Sequence, residues 1–408
     1  MRISFNQKYE QSLSAILRGQ EKLLTASAQL EKQTKILTPA DDPSGSARVV
    51  ALDQQITQTD QYQANSIGLK NSLNIEETVL TGIRKSMDQA RLLTVSLGNG
   101  AYSQLDRSAI AKQLENIRSE VFDLMNQKDA NGGYLFSGFQ EQTQSYSLNA
   151  TTGYYEFNGD EGQKSLQVSP SVSLPSNDSG KNVFEDVNAR YKTTAPVEGG
   201  GVSSAKIAVK DQSAFDQFYL KNYDGVTAAN NNYQVQITAG NTYEILRNNT
   251  SLVPAFTGTF VAGEPISFKG LTIAANGAGP GTIDFSLPPP SKSNILNTLT
   301  DIINAVERDK QSGDLLADKI ADTLVQIDTA ALKVDATVSA IGGRQNSIEN
   351  IFNSNEDLQL SNKKYRADIY EVDYASAITE LTKQETALQA VQATFNRVTG
   401  TSLFDYIR

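Results

Sequence analysis

No cysteine, histidine or tryptophan occurs among the 408 residues. Without cysteine there is no disulfide and no thiolate nucleophile. Without cysteine and histidine the usual zinc sites and imidazole acid–base chemistry fall away as well. No apolar run approaches the roughly 18 residues of a membrane-spanning helix, so no membrane insertion is expected. Lys and Arg number 36 against 46 Asp and Glu, a net charge of −10, and they are well mixed. There is no basic stripe of the kind nucleic acid requires, and no nucleic-acid partner is expected. The opening Met1-Arg2-Ile3-Ser4-Phe5-Asn6-Gln7-Lys8 is too polar for a secretory leader, so export, if it occurs, is expected without a cleaved signal peptide.

What is present is helical period. Residues 1 to 40 carry Leu13, Ile16, Leu17, Leu23, Leu24, Leu30 and Leu37. Leu23, Leu30 and Leu37 lie one heptad apart, with Ile16 one heptad upstream. Thr38-Pro39-Ala40-Asp41-Asp42-Pro43 stops that segment and starts another, Asp42 as cap and Pro43 in the first turn. The next helix is expected to run to Leu97, where Gly98-Asn99-Gly100 ends it, and to form a hairpin with a third from Asp106 to about Leu124. Helix returns at Ser293 and, after Ser312-Gly313, continues through Leu324, Ile327, Ala331, Val334, Val338, Ile341 and Ile348. Gly342-Gly343 interrupts that run at about 1 kcal/mol per glycine, which calls for a close helix approach or a bend.

The last stretch, Glu356 to Arg408, reads as a single long helix. Tyr374, Ile378, Leu381, Leu388, Val391, Phe395 and Val398 mark one face, with Thr379, Lys383, Thr386 and Arg397 opposite. Its stripe has no neighbour in sequence, and the matching unpaired pattern lies at the other end of the chain.

Between the helices the period changes. Tyr134 to Phe139 reads as strand or extended chain, and Tyr155 to Phe157 leads into Asn158-Gly159, a hairpin turn signal. From Tyr191 to Pro290 only 13 of 100 residues are charged and 11 of the 28 glycines fall there. Tyr233, Val235 and Ile237, then Tyr243 and Ile245, then Ile283, Phe285 and Leu287 alternate as strands do. This is a small β-domain, with Glu198-Gly199-Gly200-Gly201 and Pro288-Pro289-Pro290 as expected hinges.

The fold class that follows is mainly α with an inserted β-domain: paired long N- and C-terminal helices in a coiled coil or bundle, and a central β-rich part. The expected domains are 1–40 with 356–408, 41–190 with 291–355, and 191–290.

Catalytic and ligand signals are weak. Asp41 and Asp42 read as a helix start rather than a catalytic pair. Asn158 to Gly162 lacks the spaced oxygens of a calcium loop, and Gly277 to Gly281 lacks the order of a phosphate cradle. No metal, cofactor or enzymatic activity is expected. An enzyme or carbohydrate-binding module in 191–290 is the competing class. Ile16 with Leu17 and Leu23 with Leu24 widen the apolar face beyond what a two-stranded pair covers, which invites further copies of the chain. Residues 1–40 and 356–408 are accordingly expected to order on assembly.

Several stretches resemble the flagellin superfamily. Thr38 to Pro43 is similar to its interdomain link, Ile341-Gly342-Gly343-Arg344-Gln345-Asn346 to its "LGAxQN" helix, and Asp373-Tyr374-Ala375-Ser376-Ala377-Ile378 to its "DYAxAI" signature. Met1 to Ser4, Asn131 to Phe139 and Ser402 to Tyr406 look like its hook-associated branch rather than flagellin itself. The resemblance implies a structural part of the bacterial flagellum, extracellular and exported unfolded through the flagellar type III apparatus with a cytosolic export chaperone. It implies hook-associated protein 1 on the hook side, flagellin on the filament side and self-assembly into a ring layer. The filament subunit, flagellin, is the alternative. On this reading the axial helices meet through Leu17, Leu24, Leu30, Ile378, Leu381, Leu388, Val391 and Phe395.

Overall fold

The computed structural model describes residues 5–308 and 313–400. Seven helices frame it: α1 Phe5–Lys32, α2 Pro43–Leu97, α3 Gln104–Met125, α4 Gln212–Asn222, α5 Ile295–Arg308, α6 Gly313–Tyr370 and α7 Tyr374–Gly400. The strands are β1 Tyr146–Leu148, β2 Tyr155–Phe157, β3 Ser165–Ser169, β4 Val172–Pro175, β5 Val197–Val209, β6 Asn232–Ile237, β7 Thr242–Arg247, β8 Thr250–Thr259, β9 Ile266–Phe268 and β10 Leu271–Ser286. The chain is mainly α, with long terminal helices and a central antiparallel sheet domain. It divides into two compact units, one of Met1–Asn71, Ser165–Leu174 and Gly343–Arg408, the other of Ser72–Lys164 and Pro175–Gly342.

In the first unit the start of α2 runs antiparallel to the end of α6. Asp53 meets Arg366 at 2.6 Å, Asp60 meets Gln359, and Lys70 meets Glu349 at 2.9 Å. These pairs are exposed and worth little each, but they fix register. Tyr62, Leu69 and Ile348 are buried, and Val168 of the β3–β4 hairpin is fully covered. As its sequence indicates, α2 begins on Asp42. The Gly45 N–H and the Ser44 hydroxyl donate to that carboxylate at 2.9 and 3.0 Å, holding it below the usual range.

The second unit buries Leu73, Leu80, Ile83, Met87 and Leu97 of α2 with Leu114, Val121 and Met125 of α3, Leu296, Leu299 and Ile302 of α5, and Ile327, Val334 and Ile341 of α6. Helix α3 starts in a capping box, Ser103 and Asp106 each satisfying the other's backbone N–H. The β1–β2 hairpin is tied to α5, where the Tyr155 N–H donates to Asn297 Oδ1 at 2.7 Å and Asn297 Nδ2 donates back to the Tyr155 carbonyl.

The sheet runs β5-β10-β6-β7-β8, antiparallel throughout, with β9 also on β10. Helix α4 contributes Phe215, Phe218 and Tyr219 to a core with Tyr233, Val235, Ile237, Ile245, Phe268, Ile273, Ile283 and Phe285. The alternation in β6 and β10 therefore places the expected side chains inside. Arg190, its side chain only 5% exposed, joins this domain to α6. It reaches Asp318 at 2.8 Å, Asp322 at 3.0 Å and Gln212 at the start of α4 at 2.7 Å.

Several sequence expectations need correction. Helix α1 stops at Lys32, because Gln33 takes a left-handed φ of 59°, so Leu37 lies off the heptad series. The stretch from Glu356 is not one helix: α6 ends at Tyr370 and α7 begins after Asp373. The β1–β2 turn is Asn149 to Tyr154, not Asn158-Gly159. Gly159 instead admits the Ser137 backbone, which a methyl there would meet at 2.8 Å. Tyr134 makes one isolated bridge to Lys128, and the residues after it are turns. Glu198 to Gly201 is no hinge but part of β5, where Gly200 sits at φ 65° in a bulge against Pro280. A methyl on Gly342 or Gly343 would meet nothing within 4 Å, so no close approach explains that pair.

Candidate assembly interface

Helices α1 and α7 form an antiparallel hairpin within one unit. The segments that lead into it zip together first. The Lys35 N–H donates to the Tyr370 carbonyl at 2.7 Å, the Val372 N–H donates to the Gln33 carbonyl at 3.2 Å, and Thr34 bridges Glu371. Asp373 then starts α7, accepting from the Ser376 hydroxyl at 2.7 Å and the Ala375 N–H at 3.3 Å. Those two bonds, the hydroxyl first, hold its carboxyl below the usual range.

Along the hairpin, Ala377, Leu381, Gln384, Leu388, Val391 and Phe395 are the partly or fully covered positions of α7. Their steps of four and three are those of a coiled-coil seam. On α1 the covered series is Ser12, Ile16, Gly19, Leu23, Ala26 and Leu30, in the same steps. Tyr9 and Phe395 meet with ring centroids 5.4 Å apart. A methyl added to Gly19 would lie 3.1 Å from Leu388 Cδ1, so glycine allows the helices to close there. Sequence reasoning missed Gly19, Ala26 and Ala377, because small residues carry no hydrophobic signal. Their place in the four–three series was the available clue.

This geometry sorts the eight candidate residues. Leu30, Leu381, Leu388, Val391 and Phe395 face the seam, while Leu17, Leu24 and Ile378 stay 58%, 69% and 51% exposed. Of each adjacent pair on α1, Ile16 and Leu23 turn toward α7 and Leu17 and Leu24 turn away. With Leu13 they form a second stripe that α7 does not cover. Fully burying a leucine is worth about 1.5–3 kcal/mol, and most of these seam residues are only half covered. The hairpin thus holds one stripe modestly and leaves another in water.

Comparison with known proteins agrees with this architecture. Residues 3–141 match the bacterial flagellin N-terminal helical region. The chain belongs to the flagellin superfamily. Within it, the most similar curated relatives are flagellar hook-associated protein 3. That of Salmonella typhimurium is 29% identical over 189 residues, 46% of this chain and 58% of the relative. That of Escherichia coli is 26% identical over 213 residues, 52% of this chain and 65% of the relative. The matched span is therefore less than two thirds of either relative. The crystal structure of hook-associated protein 3 from Legionella pneumophila shares the fold, with a TM-score of 0.60 at 23% identity, over 79% of this chain and 99% of that one.

Proposed function

We propose that this chain is a structural component of the bacterial flagellum, an adaptor at the junction between hook and filament. The observation that carries the reading is the second apolar stripe, Leu13, Leu17 and Leu24 on α1 beside Ile378 on α7. A stripe of this kind on a paired helix is covered when neighbouring copies pack alongside. On this reading the hairpins of 1–40 and 356–408 form the axial assembly domain of a ring layer, 41–190 with 291–355 the helical middle, and 191–290 a peripheral domain. Hook-associated protein 1 lies on the hook side and flagellin on the filament side. The subunit is extracellular, exported unfolded with a cytosolic chaperone on its C-terminal helix. The role is one of contact surfaces, with no chemical step.

The alternative, flagellin itself, differs in copy number and place. Gold labelling of an epitope-tagged chain on isolated flagella is expected to mark one short zone between hook and filament. Labelling along the whole filament, or long filaments grown from the purified chain alone, would reject the junction role.

A further inference from the structure

Four Asn-Gly steps occur in the chain, at Asn99, Asn131, Asn158 and Asn276. Three are restrained by the fold. The Gly132 N–H donates to the Asp129 carbonyl at 3.1 Å. Asn158 Nδ2 donates to Ser147 Oγ at 2.9 Å, and Gly159 is wedged against Phe157 and Ser137. Asn276 lies in β10, its amide on Ser204 Oγ at 3.1 Å, with Gly277 packed on the Gly201 carbonyl. Asn99 differs. It sits in the exposed turn between α2 and α3, where a methyl on Gly100 would meet nothing within 4 Å. Its side-chain Oδ1 accepts the Ala101 N–H at 3.0 Å. That bond folds the amide over the Gly100 peptide and places a donor on the oxygen where negative charge develops during attack.

We propose that Asn99 is a site of spontaneous, water-driven modification, the deamidation hot spot of this protein. The Gly100 nitrogen gives up its proton and attacks Asn99 Cγ. The new N–Cγ bond forms as the Cγ–Nδ2 bond breaks, and Nδ2 leaves as ammonia. Water then opens the cyclic imide at either carbonyl, giving aspartate or isoaspartate at 99. One negative charge is added to a turn flanked by the exposed Leu92, Val95, Tyr102 and Leu105.

The test is peptide mapping by mass, with isoaspartate detection, on the purified full chain aged in mildly alkaline buffer, native and in denaturant. The native chain is expected to convert at Asn99 well ahead of the other three steps, and the denatured chain at all four alike. Gly100→Ala, for which the turn has room, is expected to keep the fold and suppress conversion at Asn99. Equal native rates, faster conversion at Asn131, Asn158 or Asn276, or the same ranking in denaturant would each overturn the assignment.

Discussion

Asn65 of α2 and Asn355 of α6 hold the same strand. Asn65 Nδ2 donates to the Gln167 carbonyl at 2.7 Å and Asn355 Nδ2 to the neighbouring Val168 carbonyl at 2.9 Å. The β3–β4 hairpin is thereby pinned on two antiparallel helices at once, with Val168 between them. Asn355 is 3% exposed, so its loss leaves a buried carbonyl without its donor. Asn355→Ala is expected to cost about 1–3 kcal/mol, and the more accessible Asn65→Ala less than about 1. Denaturant midpoints of the two variants check the order.

Arg190 is the next point of leverage. Removing one partner of a buried charge cluster costs about 3–5 kcal/mol, and Asp318 is half exposed, so the loss here falls below that range. Arg190→Ala is expected to leave both the sheet and the helices folded while loosening their joint. Limited proteolysis should then show new cleavage in 191–196 and 287–292. An unchanged digestion pattern would mean that the joint does not depend on Arg190.

Gly342 and Gly343 give a prediction of opposite sign. Nothing in the folded chain needs their smallness, so alanine at either is expected to stabilise α6 by up to about 1 kcal/mol. Thermal unfolding of Gly342→Ala and Gly343→Ala measures this. Destabilisation would mean that the pair relieves a constraint in the chain itself.

Asp224 supplies a pH signature. Its carboxylate accepts from the Thr227 N–H, Asn230 Nδ2 and the Val226 N–H, and these bonds push its pKa down to about 2. The folded value lies below the unfolded one of about 3.9, so the stabilisation is complete above about pH 4 and fades as pH falls toward 2. Amide exchange at Val226 and Thr227 is expected to accelerate through that window. Asp224→Asn should remove the step, and a flat profile in the native chain would count against the bonds.

Much of this architecture is legible in the sequence where a local signal is unambiguous. Asp42-Pro43 and Gly98-Asn99-Gly100 bound α2 because capping and termination chemistry act within a few residues. The ends of α1 and α6 were not legible. Gln33 carries no signal for a left-handed turn, and Asp373 looks like any carboxylate until Ser376 is seen to donate to it. Glycines misled most: Gly159 and Gly200 serve backbone approaches from Ser137 and Pro280, both distant in sequence. For the interface, the widened apolar face was visible in Ile16-Leu17 and Leu23-Leu24. Which member of each pair meets α7 depends on the phase of the partner helix, which only the folded hairpin supplies.

The central claim is that the outward stripe, not the seam, makes the contacts between subunits. Leu17→Asp with Leu24→Asp adds two charges at exposed positions, whereas Leu388→Asp strikes the seam against Gly19. The measurement is incorporation of each variant into flagella of cells lacking the native chain, beside the helicity of the purified monomer. The outward pair is expected to leave helicity unchanged and abolish incorporation, and Leu388→Asp to lower both. Normal incorporation of Leu17→Asp with Leu24→Asp would contradict the account and return the stripe to an ordinary solvated face.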